Sequence, residues 1–337
     1  MSHRKKIYIA YTGGTIGMMR SEQGYVPAPG FLEQSLKGMP EFYRPEMPEF
    51  ELCEYDPLMD SSDMSPRDWQ RIASDIESKY DDYDGFVVLH GTDTMAYTAS
   101  ALSFMFENLN KPVIVTGSQI PLAALRSDGQ VNLLNSLYIA AHYPIPEVGL
   151  FFNHYLFRGN RATKADADGF DAFASPNFPA LIEAGIDIEL VAGKIQESNG
   201  EKLRVQQVTA QEIGVVTLYP GMSSTIIDSL INQPVKALII KSFGVGNAPH
   251  KGPLIEAIGR AVDANIPVIN ITQCFKGTVN MSGYATGNAL ADMGVLSGED
   301  LTVEAALTKL HYLLSKGISD KQLAFEFARN LRGELSN

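Results

Sequence analysis

The amino-acid sequence predicts an α/β protein with two domains: a larger N-terminal domain, whose mostly parallel sheet has helices on both faces, and a smaller C-terminal α/β domain. The length of 337 residues exceeds that of a usual single core. Short apolar runs rich in β-branched residues alternate with helical patterns, and repeated strand–helix units favour a parallel sheet covered by helices. A polar stretch near residues 184–211 interrupts this alternation and predicts the domain boundary.

Buried strands are predicted where a few apolar residues are bounded by turn residues. They lie at residues 7–10, 86–89, 113–116, 148–152, 214–218, 237–240 and 268–272. Helices are predicted at residues 94–107, 127–142, 254–264 and 303–315. Ser65 and Pro66 open a further helix, as N-cap and first-turn residue, and Ser319 with Gln322 forms the capping box of the last helix.

Two irregular stretches separate these elements. The first, residues 18–47, is rich in proline and glycine, and a structureless loop of that length is typical of an active-site lid. The second, after residue 184, has no helical stripe, and a strand pattern restarts at Ile213. We therefore expect an N-terminal catalytic domain at residues 1–190, a linker at residues 191–211 and a C-terminal domain at residues 212–337. A single domain with a long β-hairpin at this point is the alternative.

Charge and composition argue against several classes of function. The net charge is −12 and no stripe of lysine or arginine is present, which argues against a nucleic-acid partner. Cys53 and Cys274 are far apart and lack metal-ligand spacing, so we expect free thiols in a reducing compartment. The apolar run behind the basic N-terminus is too short for a signal peptide, and no stretch reaches membrane-spanning length. We therefore expect a cytoplasmic protein with no membrane partner.

Two threonine–glycine clusters each follow a predicted strand. The first is Tyr-Thr-Gly-Gly-Thr-Ile-Gly at residues 11–17, and the second is His-Gly-Thr-Asp-Thr at residues 90–94. Ligands of open parallel sheets bind beyond the carboxyl ends of the strands, so both clusters are expected at one cleft. A threonine hydroxyl there suits attack on a carbonyl carbon, and glycines let backbone N–H groups approach an oxyanion. The pattern indicates acyl chemistry.

The residues do not match other catalytic schemes. A Gly-x-Ser-x-Gly elbow is absent, and His90 ends a buried strand, where a core histidine with satisfied hydrogen bonds is expected. The glycines at residues 13–17 do not fit the Gly-x-Gly-x-x-Gly dinucleotide pattern, and no Walker lysine follows them. No set of histidine, cysteine and carboxylate residues has metal spacing, so we expect neither a cofactor nor a metal. Threonine, lysine and carboxylate remain as reacting groups.

Both clusters, in this order and about this far apart, resemble the two signatures of the bacterial L-asparaginases, and the sequence is similar to the cytoplasmic type I branch over almost its whole length. Residues 158–166, Arg-Gly-Asn-Arg-Ala-Thr-Lys-Ala-Asp, resemble the family's third signature. The resemblance implies that Lys164 joins Thr92 and Asp93 in one catalytic group. Without the resemblance, the alternative interpretation is that Lys164 is a surface lysine that pairs with Asp166.

The same resemblance implies the roles of two further residues. Thr15 is expected to be the nucleophile that carries the acyl intermediate. Tyr25, on the segment after the first cluster, is expected to close over Thr15 and to support proton transfer. Without the resemblance, the alternative interpretation is that Thr15 caps a tight turn.

The resemblance also implies where a substrate binds. Asp60, Ser61 and Ser62 resemble the family's substrate loop, in which Ser61 offers a hydroxyl and an N–H to the α-carboxylate while Asp93 takes the α-ammonium. The same segment reads equally well as a polar loop that leads into the next helix. The family places Ser118, after the strand at residues 113–116, on the wall of the same cleft.

Some type I members bind a second asparagine away from the catalytic cleft, and this chain resembles them at Thr272, Gln273 and Cys274. Thr163 lies beside the catalytic lysine, so a ligand that touched both segments would couple the two sites. The family has arginine where this chain has Lys241, and a lysine offers only a point charge, so we expect a weaker effector site. The alternative is that Cys274 is a buried core thiol and Lys241 a solvated strand end.

The resemblance implies an amidohydrolase that converts L-asparagine and water to L-aspartate and ammonia through an acyl-enzyme on Thr15, without a cofactor, in a homotetramer built as a dimer of dimers. A glutaminase-type amidase is one alternative, since glutamine is one methylene longer. An amidase that feeds ammonia to a tRNA-dependent amidotransferase is another, but the chain begins a few residues before its first strand, where such subunits carry an additional domain. A catalytically silent asparagine sensor would lack one of the four catalytic residues, and all four are present.

Overall fold

The computed structural model describes residues 4–22, 24–191, 195–281 and 285–336. The chain divides into two units, Met1–Gln207 and Val208–Asn337, each with its own sheet. The predicted fold class, a larger and a smaller α/β unit, is confirmed. Residues 192–194 of the expected linker lie outside the described residues. Further along that segment, Arg204–Val205 pairs with Phe106–Glu107 of the N-terminal unit.

The predicted strands and helices all overlap observed ones. The strands of the described residues are β1 (Lys6–Gly13), β2 (Met18–Ser21), β3 (Gly24–Pro27), β4 (Glu49–Met59), β5 (Gly85–Leu89), β6 (Phe106–Glu107), β7 (Val113–Thr116), β8 (Val148–Phe152), β9 (Tyr155–Arg158), β10 (Thr163–Lys164), β11 (Phe173–Ala174), β12 (Ile182–Ala184), β13 (Ile188–Leu190), β14 (Arg204–Val205), β15 (Ile213–Thr217), β16 (Ala237–Ser242), β17 (Val268–Thr272) and β18 (Leu296–Ser297). The helices are α1 (Phe31–Lys37), α2 (Pro66–Lys79), α3 (Met95–Met105), α4 (Gly129–His142), α5 (Thr225–Ile231), α6 (Pro253–Asp263), α7 (Ala285–Asp292), α8 (Val303–Ser315) and α9 (Asp320–Ala328).

The N-terminal sheet has eight strands in the order β13-β12-β9-β8-β7-β5-β1-β4. Strands β4, β1, β5, β7 and β8 are parallel, and β9, β12 and β13 continue the sheet antiparallel. Because β1, β5 and β7 are parallel neighbours, the loops that follow them lie at the same edge of the sheet. These loops carry Thr15, Thr92 and Ser118.

Helices cover both faces of the parallel strands. Side chains alternate between the faces of a strand, and Ile7 and Ile9 of β1 belong to one buried cluster with Leu137 of α4. Tyr8 lies on the other face, where its hydroxyl donates to the carboxylate of Asp75 in α2 at 3.0 Å. Burial on both faces explains why residues 7–11 of β1 are apolar or aromatic instead of alternating with charged residues.

Both predicted helix caps are present. The Ser65 N–H donates to the carboxylate of Asp68 at 2.8 Å, and the two residues form the capping box of α2. Ser319 and Gln322 form the equivalent box at the start of α9. The apolar stripe of α2 is buried, with Trp69, Ile72, Ala73, Ile76 and Tyr80 all less than 8% exposed.

Residues 18–47 are not the structureless loop that the sequence suggested. They fold as the hairpin β2–β3, helix α1 and a short 3₁₀ turn at Pro40–Tyr43. Leu32, Leu36 and Phe42 are buried in the N-terminal core, so this segment is anchored by apolar side chains of its own. The proline and glycine content hid these anchors, and the expectation of a structureless loop was wrong.

The C-terminal unit has a four-stranded parallel sheet in the order β15-β16-β17-β18. Leu238 and Ile240 of β16 share a buried core with Ile258 of α6. Lys309 of α8 is fully buried and pairs with Glu334 at 2.6 Å, which fixes the last described residues onto this unit. Within the described ranges, none of the helices is both long and apolar enough to cross a membrane.

Candidate active site

The first threonine–glycine cluster forms the turn that follows β1. Strand β1 ends at Gly13, and Gly14 adopts a φ of 93°, which glycine tolerates and other residues rarely take. Thr15 then begins a 3₁₀ turn and is half-buried. A Cβ atom on Gly14 would lie 2.5 Å from the backbone N of Gly91, so the two clusters pack backbone against backbone.

The structure brings Thr92, Asp93 and Lys164 together beyond β5. The Lys164 Nζ atom donates to Thr92 Oγ1 at 3.0 Å and to Asp93 Oδ1 at 2.8 Å. Thr92 is buried, whereas 63% of the Asp93 side chain is exposed and open to a ligand. Asp166 instead accepts two backbone N–H groups of its own turn. The alternative pairing of Lys164 with Asp166 is therefore not the one in the structure.

The sequence argument missed Gln119. Its Oε1 atom accepts a hydrogen bond from Thr92 Oγ1 at 3.1 Å. Its Nε2 atom donates to the carbonyl oxygens of Ala167 and Gly169, each at 3.1 Å. Gln119 thus links Thr92 to the turn after Lys164. The signal that pointed to it was its place after β7, a strand adjacent to β5.

His90 is a fully buried support of the second cluster, as the sequence predicted. Its Nδ1 atom lies 2.7 Å from the carbonyl oxygen of Gly91, and its Nε2 atom lies 2.8 Å from Thr98 Oγ1. A carbonyl oxygen only accepts, so Nδ1 carries the proton and Nε2 accepts from Thr98. Burial lowers the pKa of His90 to about 4, so the ring is neutral at pH 7 and holds the turn without adding charge.

The expected substrate loop divides into two parts. Ser61 is buried against the second cluster, since a Cβ atom on Gly91 would lie 2.4 Å from the Ser61 Oγ. The Ser61 carbonyl also accepts from Thr94 Oγ1 at 2.6 Å. Asp60 and Ser62 bond to each other, because Asp60 Oδ1 accepts from the Ser62 N–H at 2.9 Å and from its hydroxyl at 2.8 Å.

The two other expected cleft residues differ in exposure. Tyr25 lies on β3, opposite Arg20 of β2, and is 50% exposed. Ser118 is buried, and its hydroxyl makes no hydrogen bond to any part of the chain that the structure describes. The structure therefore places Ser118 inside the N-terminal unit and Tyr25 on its surface.

The five residues expected at a second site fall in both units. Thr163 begins β10 in the N-terminal unit. In the C-terminal unit, Lys241 lies in β16, and Thr272 ends the adjacent strand β17. Gln273 and Cys274 continue into a turn in which the Cys274 N–H donates to Thr272 Oγ1 at 3.0 Å. Cys274 is exposed because it lies beyond the end of β17, so the alternative of a buried core thiol was wrong.

The arrangement offers side-chain groups for acyl transfer. The hydroxyl of Thr15 lies on a tight turn. The hydroxyl of Thr92 and the exposed carboxylate of Asp93 both accept hydrogen bonds from the amino group of Lys164. Within the described residues, no group of three or more His, Cys, Asp or Glu side chains is placed to hold a metal ion. Proton transfer between these groups is the chemistry that the geometry supports.

Two family models match the chain. Residues 6–196 match the asparaginase N-terminal domain, and residues 212–327 match the glutaminase/asparaginase C-terminal domain. The two matches together cover most of the sequence. The C-terminal match begins close to the division between the two structural units.

Similar proteins cover the whole chain. The sequence is 63% identical to L-asparaginase 1 of Escherichia coli (strain K12), over 99% of this chain and 98% of that protein. It is 42% identical to the 60 kDa lysophospholipase of Mus musculus, over 100% of this chain and 63% of that longer protein. The crystal structure of L-asparaginase I from Vibrio cholerae O1 biovar eltor matches with a TM-score of 0.95 and 61% identity, over 99% of this chain and 100% of that one.

Proposed function

The chain belongs to the asparaginase family, and we propose that it works through an acyl-enzyme on Thr15. Its activity is that of an L-asparaginase, an amidohydrolase that converts L-asparagine and water to L-aspartate and ammonia. The observation that carries the mechanism is the pair of hydrogen bonds from Lys164 to Thr92 and Asp93, at 3.0 and 2.8 Å. Thr92 and Asp93 directly follow Gly91, which packs against Gly14 in the turn that carries Thr15.

The first half of the reaction transfers the acyl group to Thr15. The Thr15 hydroxyl oxygen attacks the side-chain carbonyl carbon of asparagine, the C–N bond breaks, and the hydroxyl proton ends on the departing ammonia. Backbone N–H groups of glycine-rich turns are donors of the kind that stabilise the oxyanion. We assign to Tyr25 the removal of the Thr15 proton once its hairpin covers the site.

The second half is hydrolysis of the Thr15 ester. The water oxygen bonds to the acyl carbon, the ester oxygen leaves as the Thr15 hydroxyl with one proton from that water, and aspartate is released. We assign the handling of this proton to Thr92 and Lys164, because the Lys164 amino group is within hydrogen-bond distance of the Thr92 hydroxyl. The Asp93 carboxylate holds that amino group in place.

Two contacts are assigned to the backbone groups of the substrate. Asp93 binds the α-ammonium, since its carboxylate is charged and largely exposed. Ser61, buried against Gly91, binds the α-carboxylate. Asp60 and Ser62 shape the loop through their mutual hydrogen bonds.

We further propose a cytoplasmic homotetramer with a weak activating site for asparagine. Both cysteines are free thiols, which suits a reducing compartment. The turn after β17 is exposed, and Lys241 on the adjacent strand supplies one positive charge for a carboxylate. Sedimentation velocity tests the assembly: a particle of four chains is expected, and a monomer would overturn it. The activating site is assigned to Lys241, Thr272, Gln273 and Cys274 of the C-terminal unit.

Release of ammonia and L-aspartate from L-asparagine tests the mechanism. The wild type is expected to release both in equal amounts, and Thr15→Ala to lose at least about a thousandfold in rate. Thr12→Ala is the matched control, because the Thr12 hydroxyl donates to the carbonyl oxygen of Leu89 at 2.9 Å and ties two strands together. We expect this control to stay within about tenfold of the wild type while losing about 1 kcal/mol of stability. Thr15→Ala with activity equal to the control would remove Thr15 from the mechanism.

The same assay separates the alternatives. Glutamine carries one additional methylene, which is worth about 1–3 kcal/mol in a tight pocket, so its kcat/KM is expected to be about 10- to 200-fold lower. Equal rates for both amides would favour a glutaminase-type amidase. Binding of asparagine without ammonia release would indicate a silent sensor.

A further inference from the structure

Gln119 is held in one orientation by its hydrogen bonds. Its amide group faces two carbonyl oxygens, those of Ala167 and Gly169, each 3.1 Å from Nε2. Carbonyl oxygens only accept hydrogen bonds, so the NH₂ end of the carboxamide must point toward them. The Oε1 end therefore points toward Thr92 Oγ1, at 3.1 Å.

This orientation determines the direction of the Thr92 hydroxyl proton. The Oε1 atom of Gln119 has no proton to give, so the hydrogen bond between the two residues uses the proton of Thr92. The Lys164 amino group then donates to a lone pair of the same oxygen at 3.0 Å. A hydroxyl has one proton and two lone pairs, so what Thr92 has left for a ligand is one lone pair.

The backbone of Gln119 is fixed as firmly as its side chain. The Gln119 N–H donates to the carboxylate of Asp128 at 2.9 Å, and the Ile120 N–H donates to the same carboxylate at 3.0 Å. Asp128 immediately precedes α4, a helix packed in the N-terminal core. Gln119 is therefore a rigid bridge between α4, the second cluster and the turn that follows Lys164.

We propose that Gln119 is a specificity-determining positioning residue that makes Thr92 a hydrogen-bond acceptor toward the cleft. The inference rests on the proposed function, in which Thr92 lies beside the reacting side-chain group of the ligand. A carboxamide NH₂ donates to such an acceptor, whereas a carboxylate oxygen would face lone pair against lone pair. Gln119 thus favours the amide substrate over the acid product.

Removal of the carboxamide should reverse this preference. In Gln119→Met the Thr92 proton is released and can turn to donate to a carboxylate. L-Aspartate is then expected to bind about tenfold more tightly, a change typical of one hydrogen bond to a charged group. The kcat/KM for asparagine is expected to fall about tenfold to a hundredfold, since Thr92 is no longer held in one position.

One control variant separates this role from a general effect of losing a glutamine amide. Gln70→Met makes the same chemical change on an exposed face of α2, where the Gln70 amide donates to Ser74 Oγ at 3.1 Å. This variant is expected to keep wild-type aspartate affinity and kcat/KM within about threefold.

Isothermal titration of the purified protein with L-aspartate, together with steady-state rates for L-asparagine, tests the proposal. Tighter aspartate binding combined with a lower kcat/KM in Gln119→Met alone is the expected result. Equal weakening of both ligands in Gln119→Met, or the same reversal in Gln70→Met, would overturn it. The titration needs no turnover, so a failure here is distinct from a failure of the Thr15 mechanism, which the Thr15→Ala rate reports separately.

Discussion

At the scale of single residues, Lys164 is the side chain whose contacts define the site most directly. Its amino group reaches the hydroxyl of Thr92 and the carboxylate of Asp93, two residues that precede it by about seventy positions in sequence. The side chain is 22% exposed, so it is accessible to a ligand and yet largely shielded from solvent. Such a placement suits a group that exchanges a proton with its neighbours.

Lys164→Met tests that role. The substitution keeps the length of the side chain and removes the amino group, so kcat is expected to fall by about two to four orders of magnitude. Lys5→Met is the control, because Lys5 forms a Lys–Asp pair of similar geometry with Asp84, at 2.7 Å, on an exposed surface. The control is expected to change the rate by less than about twofold, since such exposed pairs contribute little. Comparable rates for the two variants would show that Lys164 is an ordinary surface lysine.

His90 predicts a pH dependence of stability. Its pKa in the folded protein is about 4, below the value near 6.5 of an unfolded chain. Between these values the unfolded chain binds more protons, so stability is full above pH 6.5 and is lost as the pH falls toward 4. The wild type is expected to lose about 2 kcal/mol through this residue between pH 7 and pH 5.

Urea unfolding at the two pH values, at one protein concentration, checks this. His90→Gln keeps a donor for Gly91 and an acceptor for Thr98 but does not titrate. Between pH 7 and pH 5 its free energy of unfolding should therefore fall by about 2 kcal/mol less than that of the wild type. The control is His250→Gln, which replaces an exposed histidine and should behave as the wild type does. The prediction fails if His90→Gln and the wild type lose equal stability.

At the scale of secondary-structure elements, the parallel strands and their terminal turns were predictable, whereas the sheet edges were not. Strands such as β5 are continuous apolar runs because both of their faces are buried. The edge strand β4 was missed although Glu49 and Glu51 alternate with Phe50, as on a strand with one exposed face, because strands were expected only at continuous apolar runs. The antiparallel strands β9 and β13 pair with their neighbours β8 and β12 through short hairpins, but β12 joins the sheet by pairing with β9, a distant segment that no local pattern reveals.

The same limit applies to the site. The turns of Thr15 and Thr92 could be placed at one edge of the sheet because each follows a buried strand. Gln119 gave no chemical signal of its own, since its importance comes from partners in two other loops. A single sequence does not show such through-space contacts.

The turn after β1 gives a prediction at this scale. In Gly14→Ala the new methyl group would lie 2.5 Å from the backbone N of Gly91, at a φ of 93° that alanine rarely adopts. Gly252→Ala is the matched control, because Gly252 has a φ of 94° and no atom lies within 4 Å of the position that its new methyl group would take. The control therefore bears only the backbone strain, about 1–2 kcal/mol.

Gly14→Ala is expected to lose more stability than this control and at least about tenfold in kcat, because the backbones that carry Thr15 and Thr92 must move apart. Thermal unfolding and steady-state rates provide the measurement. If Gly14→Ala matches Gly252→Ala in both, the contact between the two clusters is not a constraint on the site.

At the scale of the whole molecule, the proposed second site determines how the steady-state rate depends on asparagine concentration. A weak activating site would make the rate rise with asparagine concentration more steeply than a hyperbola, at high concentrations. Lys241→Ala removes the proposed charge and is expected to return the curve to a hyperbola. Lys236→Ala, on an exposed residue just before β16, is the control and should leave the curve sigmoidal. A hyperbolic wild-type curve that Lys241→Ala leaves unchanged would end the proposal of activation.

The central claim, an acyl-enzyme on Thr15, is tested most directly by locating the acyl group. The purified wild type would be mixed with saturating L-asparagine, quenched in acid during turnover, digested, and analysed by mass spectrometry for peptides that carry an aspartyl ester. We expect the ester on the hydroxyl of Thr15, and expect Thr15→Ala to give none. An aspartyl ester on Thr92, with Thr15 unmodified, would contradict the mechanism.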